Sequence, residues 1–127
     1  MKRSMRIAVF ASGRGSNFSA IVAAERAEKL GGACVALLVS DNPQAGALAR
    51  AKRARVPAIV LRPDTCVSRD DFERQVLRYL KSARIDVIVL AGFMRIIGPV
   101  LLSAYPMKIL NIHPALLPAF KLSLIHI

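Results

Sequence analysis

The segment from Lys108 to Phe120 reads KILNIHPALLPAF and decides how the fold is interpreted. It begins with an apolar run of strand length, and Pro114 then prevents further ladder pairing or an immediate helix. Asn111 and His113 are therefore expected where a strand ends. Ligands of open parallel sheets bind at the carboxyl ends of the strands, so this segment predicts the position of a site.

The rest of the chain alternates apolar runs with segments of helical periodicity. The first run, residues 6–11, precedes a glycine loop at 12–17 and a helix that the apolar spacing extends to Leu30, closed by Gly31-Gly32. Further apolar runs predict strands at 33–40, 58–62, 86–91 and 107–110. Because no hairpin signal separates these runs, we predict an α/β domain with an open, mostly parallel sheet and helices on both faces, a Rossmann-like arrangement.

Composition favours a cytoplasmic globular protein of one domain. The longest uncharged apolar run, residues 87–94, is far shorter than the roughly 20 residues that a membrane span needs. Nineteen basic residues against eight acidic ones give a net charge of +11. The basic residues are scattered over helices without interleaved aromatics, which argues against binding of nucleic acid. Two interpretations of the charge remain, namely solvated helix faces and attraction of small anions. The two cysteines lack metal-binding spacing, so we expect no metal.

The loop Ser12-Gly13-Arg14-Gly15-Ser16-Asn17 is the first candidate binding element. Its glycines allow backbone amides to turn inward at a helix N-terminus, where a phosphate would fit. No Gly-Lys-Ser/Thr follows, and Phe18 occupies the third glycine position of the dinucleotide fingerprint, so both of those nucleotide motifs are excluded. The alternative is a tight turn with an ordinary helix cap by Ser16 or Asn17.

A second candidate element follows the predicted strand at 86–91. Residues 92–97 place an apolar wall beside the guanidinium of Arg95, which suits a flat, partly apolar, anionic ligand. The alternative is a core loop whose arginine extends to solvent. Arg69 begins a helix that the capping box of Ser68 and Asp71 predicts, and it is either a ligand contact or a solvated helix residue.

Asn111 and His113 are the candidate catalytic residues. The Asn111 amide can donate a hydrogen bond to a developing oxyanion, and His113 has the side chain whose unperturbed pKa lies near neutrality. A structural histidine that holds its loop is the alternative interpretation.

These motifs, in this order, resemble the phosphoribosylglycinamide formyltransferases, folate-dependent enzymes of purine synthesis. The resemblance covers about residues 5 to 121. It rests on the loop at 12–17, the segment LAGFMR at 90–95 and the segment LNIHPALLP at 110–118.

The resemblance implies transfer of a formyl group from 10-formyltetrahydrofolate to the amine of 5-phosphoribosylglycinamide in de novo purine biosynthesis. The implied partners are these small molecules, without metal, nucleic acid or membrane, and the oligomeric state is left open. The implied residues are Gly15, Ser16 and Asn17 for the phosphate; Arg69, Met94, Arg95, Ile96 and Ile97 for the folate; and Asn111 and His113 for catalysis.

The C-terminal region departs from the family pattern. Family members continue further and bring an aspartate from a later loop to the histidine, whereas no Asp or Glu follows Asp86 here. We therefore expect residues 1–121 to be the N-terminal part of a single formyltransferase domain and 122–127 to be a tail outside the family. This predicts little transferase activity and an unpaired edge at the fifth strand. The alternative functions are formyltetrahydrofolate hydrolysis and phosphate binding without catalysis.

Overall fold

A six-stranded sheet organises the computed structural model, which describes residues 4–112 and 124–126. The strands are β1 (Arg6–Phe10), β2 (Cys34–Ser40), β3 (Ala58–Val60), β4 (Val87–Leu90), β5 (Ile109–Ile112) and β6 (Leu124–His126). Their order across the sheet is β3-β2-β1-β4-β5-β6. Strands β1 to β5 are parallel and β6 is antiparallel, so the predicted mostly parallel sheet is confirmed.

Helices cover both faces of the sheet, as predicted. They are α1 (Ser16–Arg26), α2 (Gly46–Ala54), α3 (Arg69–Ser82) and α4 (Pro99–Ala104). Because neighbouring residues of a strand point to opposite faces, Val9 packs with α1 and α2, whereas Phe10 packs with α3 and α4. Both strand residues are fully buried, which explains why these strands are continuous apolar runs. Within the described ranges, no helix has the length and apolar content to cross a membrane.

Helix α1 ends at Arg26, four residues before the predicted Leu30. Glu28 adopts a left-handed conformation with φ of 59°, and the Lys29 amide donates a hydrogen bond of 2.9 Å to the Ala24 carbonyl. This is a Schellman motif, in which glycine usually occupies the left-handed position. The expected closing glycines, Gly31-Gly32, lie instead in the turn before β2.

Helices α2 and α3 end in the same way. Arg55 and Arg84 have φ of 60° and 56°, and the following amides bond back to Ala51 and Leu80. A non-glycine residue in this conformation costs about 1–2 kcal/mol, because its Cβ lies too close to a backbone carbonyl. The ends of α1, α2 and α3 therefore carry strain that a glycine would relieve.

We predict that Arg84→Gly stabilises the protein. Relief of the left-handed strain outweighs the greater chain entropy of glycine, with a net gain of about 0.5–1 kcal/mol in the free energy of unfolding. Lys81→Gly, in the last turn of the same helix, is the matched control and should destabilise by about 1 kcal/mol. Urea denaturation of both variants measures the difference. A loss of stability in Arg84→Gly would contradict the account.

Strand β5 begins two residues later than predicted, at Ile109 instead of Met107. Met107 has a left-handed φ of 58°, which is incompatible with an extended start. The strand also ends two residues later than predicted, at Ile112, so Asn111 lies inside it, in register with Leu90 of β4.

The edge of β5 is paired, so the prediction of an unpaired edge there is wrong. Strand β6 runs antiparallel to it, with Asn111 opposite Ile125 and Ile112 opposite Leu124. An extended apolar segment can join an open sheet edge through backbone hydrogen bonds, whatever its origin. The assignment of residues 122–127 to a tail outside the family stays a prediction.

Candidate active site at the carboxyl edge of the sheet

Ser12, just after β1, joins the ends of three strands. Its hydroxyl accepts a hydrogen bond of 2.9 Å from the Met94 amide, and its own amide donates to the Gly92 carbonyl at 3.2 Å. Its carbonyl accepts from the side-chain amide of Asn42 at 3.3 Å. Ser12 is buried, so its polar groups need hydrogen-bond partners within the protein, and these three bonds provide them. The loops after β1, β2 and β4 are thus held together at the edge where the site was predicted.

The glycine loop ends at Gly15, which is the N-cap of α1 and has φ of 83°. Because Gly15 holds the N-cap position and no side chain caps the helix, the predicted cap by Ser16 or Asn17 is wrong, whereas a tight turn without a phosphate stays an alternative. The amides of the first turn have no partner within the helix, since helical geometry leaves the first N–H groups unpaired. Ser16 is exposed and Asn17 half-buried, so this turn is open to an anion.

Helix α2 packs closely against the glycine loop. A Cβ added at Gly15 would lie 2.5 Å from the Cα of Ala47. The Arg50 guanidinium donates to the Arg14 carbonyl at 2.8 Å, and the Ala47 amide donates to the Gly13 carbonyl at 3.1 Å. The second helix therefore fixes the shape of the loop.

We predict that Gly15→Ala destabilises the protein by about 2–4 kcal/mol, because a left-handed residue and a steric clash are introduced together. Gly13→Ala is the matched control in the same loop, since its Cβ would meet nothing within 4 Å. Its free energy of unfolding should change by less than about 1 kcal/mol. Equal effects of the two variants in thermal unfolding would refute this interpretation of the loop.

The segment Met94-Arg95-Ile96-Ile97 forms the rim beside this loop. Met94 and Ile96 are 82% and 80% exposed, so two apolar side chains face solvent here. The Arg95 guanidinium pairs with the Asp41 carboxylate at 3.2 Å. The exposed apolar surface fits a flat, partly apolar ligand, whereas the charge of Arg95 is already paired with Asp41.

Arg69 lies beside the end of this segment. It is the first residue of α3, and the predicted capping residue Ser68 accepts a hydrogen bond of 3.1 Å from the Asp71 amide. A Cβ added at Gly98 would lie 2.8 Å from Arg69 Nε, so the guanidinium packs on the backbone that follows Ile97. The structure therefore brings together the two elements that were predicted to contact one ligand.

Glu73, one turn after Arg69, is a buried carboxylate that the sequence analysis did not single out. It is 1% exposed and accepts hydrogen bonds from the amides of Gly98 and Leu101. It thereby fixes the start of α4 against α3, next to Arg69. An acidic residue between the buried positions Phe72 and Val76 was the signal that could have revealed it.

Asn111 lies on the same row of the sheet as the end of β1. Phe10 pairs with Leu90, and Leu90 pairs with Asn111. With strands roughly 4.8 Å apart, Asn111 is about 10 Å from Phe10 along this row, with Leu90 of β4 between them. Asn111 is exposed, and it shares the α3–α4 face with Ile109 by strand alternation. The predicted partner, His113, lies outside the described residues.

Two further hollows lie in the described part of the chain. One, of about 600 Å³, runs between α1 and α2, with Arg26, Arg50 and Arg53 in its lining. The other, of about 220 Å³, lies at the amino edge of the sheet beside Tyr105. Burial, together with the nearby Asp86 carboxylate, raises the pKa of the Tyr105 phenol, which donates to the Ile85 carbonyl at 3.0 Å. That phenol is a structural donor at neutral pH.

Together, the fold and the joined loops define an α/β protein with a candidate ligand site at the carboxyl edge of a parallel sheet. Residues 5–123 match the family model described as formyl transferase, and the chain belongs to that family. Within residues 4–112 and 124–126, no group of three His, Cys, Asp or Glu side chains could hold a metal ion.

Several relatives carry a more specific name. The chain is 46% identical over 115 residues to phosphoribosylglycinamide formyltransferase of Bacillus subtilis, covering 91% of this chain and 58% of the relative. It is 39% identical over 116 residues to the Escherichia coli enzyme of that name, covering 91% and 54%. Glycinamide ribonucleotide transformylase 1 from Geobacillus kaustophilus superposes with a TM-score of 0.85 at 55% identity, covering 94% and 63%. The chain thus spans little more than half the length of these curated relatives.

Proposed function

We propose that the chain carries the substrate-binding loops of a phosphoribosylglycinamide formyltransferase. Such an enzyme transfers a formyl group from 10-formyltetrahydrofolate to the amine of 5-phosphoribosylglycinamide. The observation that carries the proposal is the set of hydrogen bonds at Ser12, which joins the glycine loop to the segment that begins at Met94. The names of the bacterial relatives support the same assignment.

The phosphate of the ribonucleotide would bind at Gly15, Ser16 and Asn17. The unpaired amides of the first turn of α1 and the positive end of its dipole favour a dianion at this point. The excess of basic residues, a net charge of +11, would also attract anionic substrates by its long-range field.

The folate would bind along residues 94–97 and against Arg69. The exposed Met94 and Ile96 side chains offer apolar contact to a flat ring system, and the guanidinium of Arg69 offers a cation for a carboxylate. The backbone of the segment, held by Ser12, would present its amides and carbonyls to the ring.

Formyl transfer would then take place near Asn111 and His113. The amine attacks the formyl carbon, and negative charge gathers on the formyl oxygen, where the Asn111 amide would donate a hydrogen bond. One such donor is worth about 3 kcal/mol in the transition state. His113 would relay the proton from the attacking amine to the folate nitrogen. The phosphate loop supports an amine substrate over water, and so transfer over hydrolysis.

The proposed partners are these two small molecules, in a cytoplasmic setting like that expected of bacterial biosynthetic enzymes. The basic side chains are spread over α1, α2 and α3 without interleaved aromatic residues, which supports small anions over nucleic acid.

Calorimetric titration tests the proposal. We predict that the chain binds both 5-phosphoribosylglycinamide and tetrahydrofolate. Ser16→Glu should weaken phosphoribosylglycinamide binding about tenfold or more, because it places a carboxylate beside the phosphate, and should leave tetrahydrofolate binding unchanged. Ala23→Glu, an exposed position two turns further along α1, adds the same charge and is the control. Binding of the phosphorylated ligand alone would favour a phosphate-binding module, and binding of neither would refute the proposal.

The role of Asn111 has a separate test. The transfer rate of this chain is expected to be low, and Asn111→Ala should lower that residual rate about a hundredfold or more while leaving both dissociation constants within about twofold, because the donor acts on charge that develops in the transition state. Single-turnover assays at high enzyme concentration measure the rate. An unchanged rate would exclude the proposed oxyanion contact.

A further inference from the structure

Asp41, directly after β2, is a buried carboxylate that the proposed reaction does not use. Its side chain is 8% exposed, and Oδ2 accepts from Arg95 Nε at 3.2 Å. Its other oxygen, Oδ1, is buried and has no hydrogen-bond partner among the residues that the structure describes. A buried carboxylate is costly unless it is paired, so its ion pair with Arg95 is important at this position.

The backbone around Asp41 is firmly anchored. The Asn42 amide donates to Ser40 Oγ at 3.2 Å, and Asn42 Oδ1 accepts from the Gln44 amide at 2.9 Å. The Asn42 side-chain amide also reaches the Ser12 carbonyl. The residues on either side of Asp41 are thus held by hydrogen bonds at the sheet edge. Its partner Arg95, by contrast, is about half exposed.

The segment 94–97, by contrast, has little burial at its start to hold it in place. Met94 and Ile96 are more than three-quarters exposed, so packing does not determine their position. Two polar contacts instead fix consecutive residues: Ser12 Oγ accepts from the Met94 amide, and Asp41 accepts from the Arg95 side chain. The accepting residues, Ser12 and Asp41, lie just after the ends of the buried strands β1 and β2.

We infer that Asp41 is a positioning residue for the folate-binding segment. Through its ion pair with Arg95 it holds the backbone of residues 94–97 in the orientation that receives a flat, anionic ligand. The inference rests on the proposed function, because that proposal identifies the ligand as a folate. The positioning of the segment, however, can be measured without any ligand. Arg95 accordingly serves the segment itself, and the guanidinium of Arg69 is left as the cation for the ligand.

Asp41→Asn in the full chain tests this inference, because it keeps the shape of the side chain and removes the charge. We expect hydrogen exchange of the Met94 amide, which is protected by its hydrogen bond to Ser12 Oγ, to accelerate about tenfold, with exchange in β1 and α1 unchanged. Tetrahydrofolate should bind about fivefold to tenfold more weakly, and phosphoribosylglycinamide equally well. Asp64→Asn is the control, since it breaks the exposed Arg62–Asp64 pair in the same way and should alter none of these quantities.

Arg95→Met removes the same ion pair from its exposed end. It keeps the inference testable if the Asp41→Asn variant does not fold. It should accelerate exchange of the Met94 amide at least as much, because it leaves the Asp41 carboxylate unpaired, and the double variant should be no worse than Arg95→Met alone. Unchanged exchange in both single variants, or additive effects in the double variant, would overturn the inference. A wild-type chain that binds no tetrahydrofolate would refute the proposed function, whereas the exchange rates would still decide the role of Asp41.

Discussion

The hydrogen bonds of one buried serine hold together the sheet edge that carries the candidate site. Ser12 uses its amide, its carbonyl and its hydroxyl to join the loops that follow β1, β2 and β4. A single hydrogen bond contributes only about 1 kcal/mol net, but a buried group left unpaired costs about 1–3 kcal/mol. Replacing the Ser12 side chain would remove the acceptor of the Met94 amide, whereas the two bonds of the Ser12 backbone would remain, so the link to the segment after β4 is the one that depends on the hydroxyl.

The two faces of the sheet contribute different parts of the candidate site. Helices α1 and α2 shape the glycine loop, whose conformation is fixed by the close approach of Ala47 to Gly15. Helices α3 and α4 bring Arg69 to the end of residues 94–97, where the buried Glu73 carboxylate joins them. Sheet register then places Asn111 on the same row as the end of β1. The sheet and the helices packed on it thus place the glycine loop, Arg69 and Asn111 of the candidate site.

Much of the fold followed from apolar periodicity, because buried parallel strands must be continuous apolar runs. The errors came from backbone conformations that composition does not reveal. Glu28 adopts the left-handed position that normally requires glycine, and Met107 delays β5 in the same way. At the candidate site, the loop residues were predictable because they directly follow strands. Asp41 and Glu73 were missed because their partners, Arg95 and Gly98, are distant in sequence.

The central claim is that the glycine loop, the segment after β4 and the imidazole of His113 share one binding edge. Nuclear magnetic resonance titration with 5-phosphoribosylglycinamide tests it directly. The account predicts that the amides of Gly15, Ser16 and Asn17 shift most, and that the His113 ring signals shift at the same ligand concentrations. Shifts concentrated instead on the groove around Arg26 and Arg53, with the loop and His113 unaffected, would contradict it.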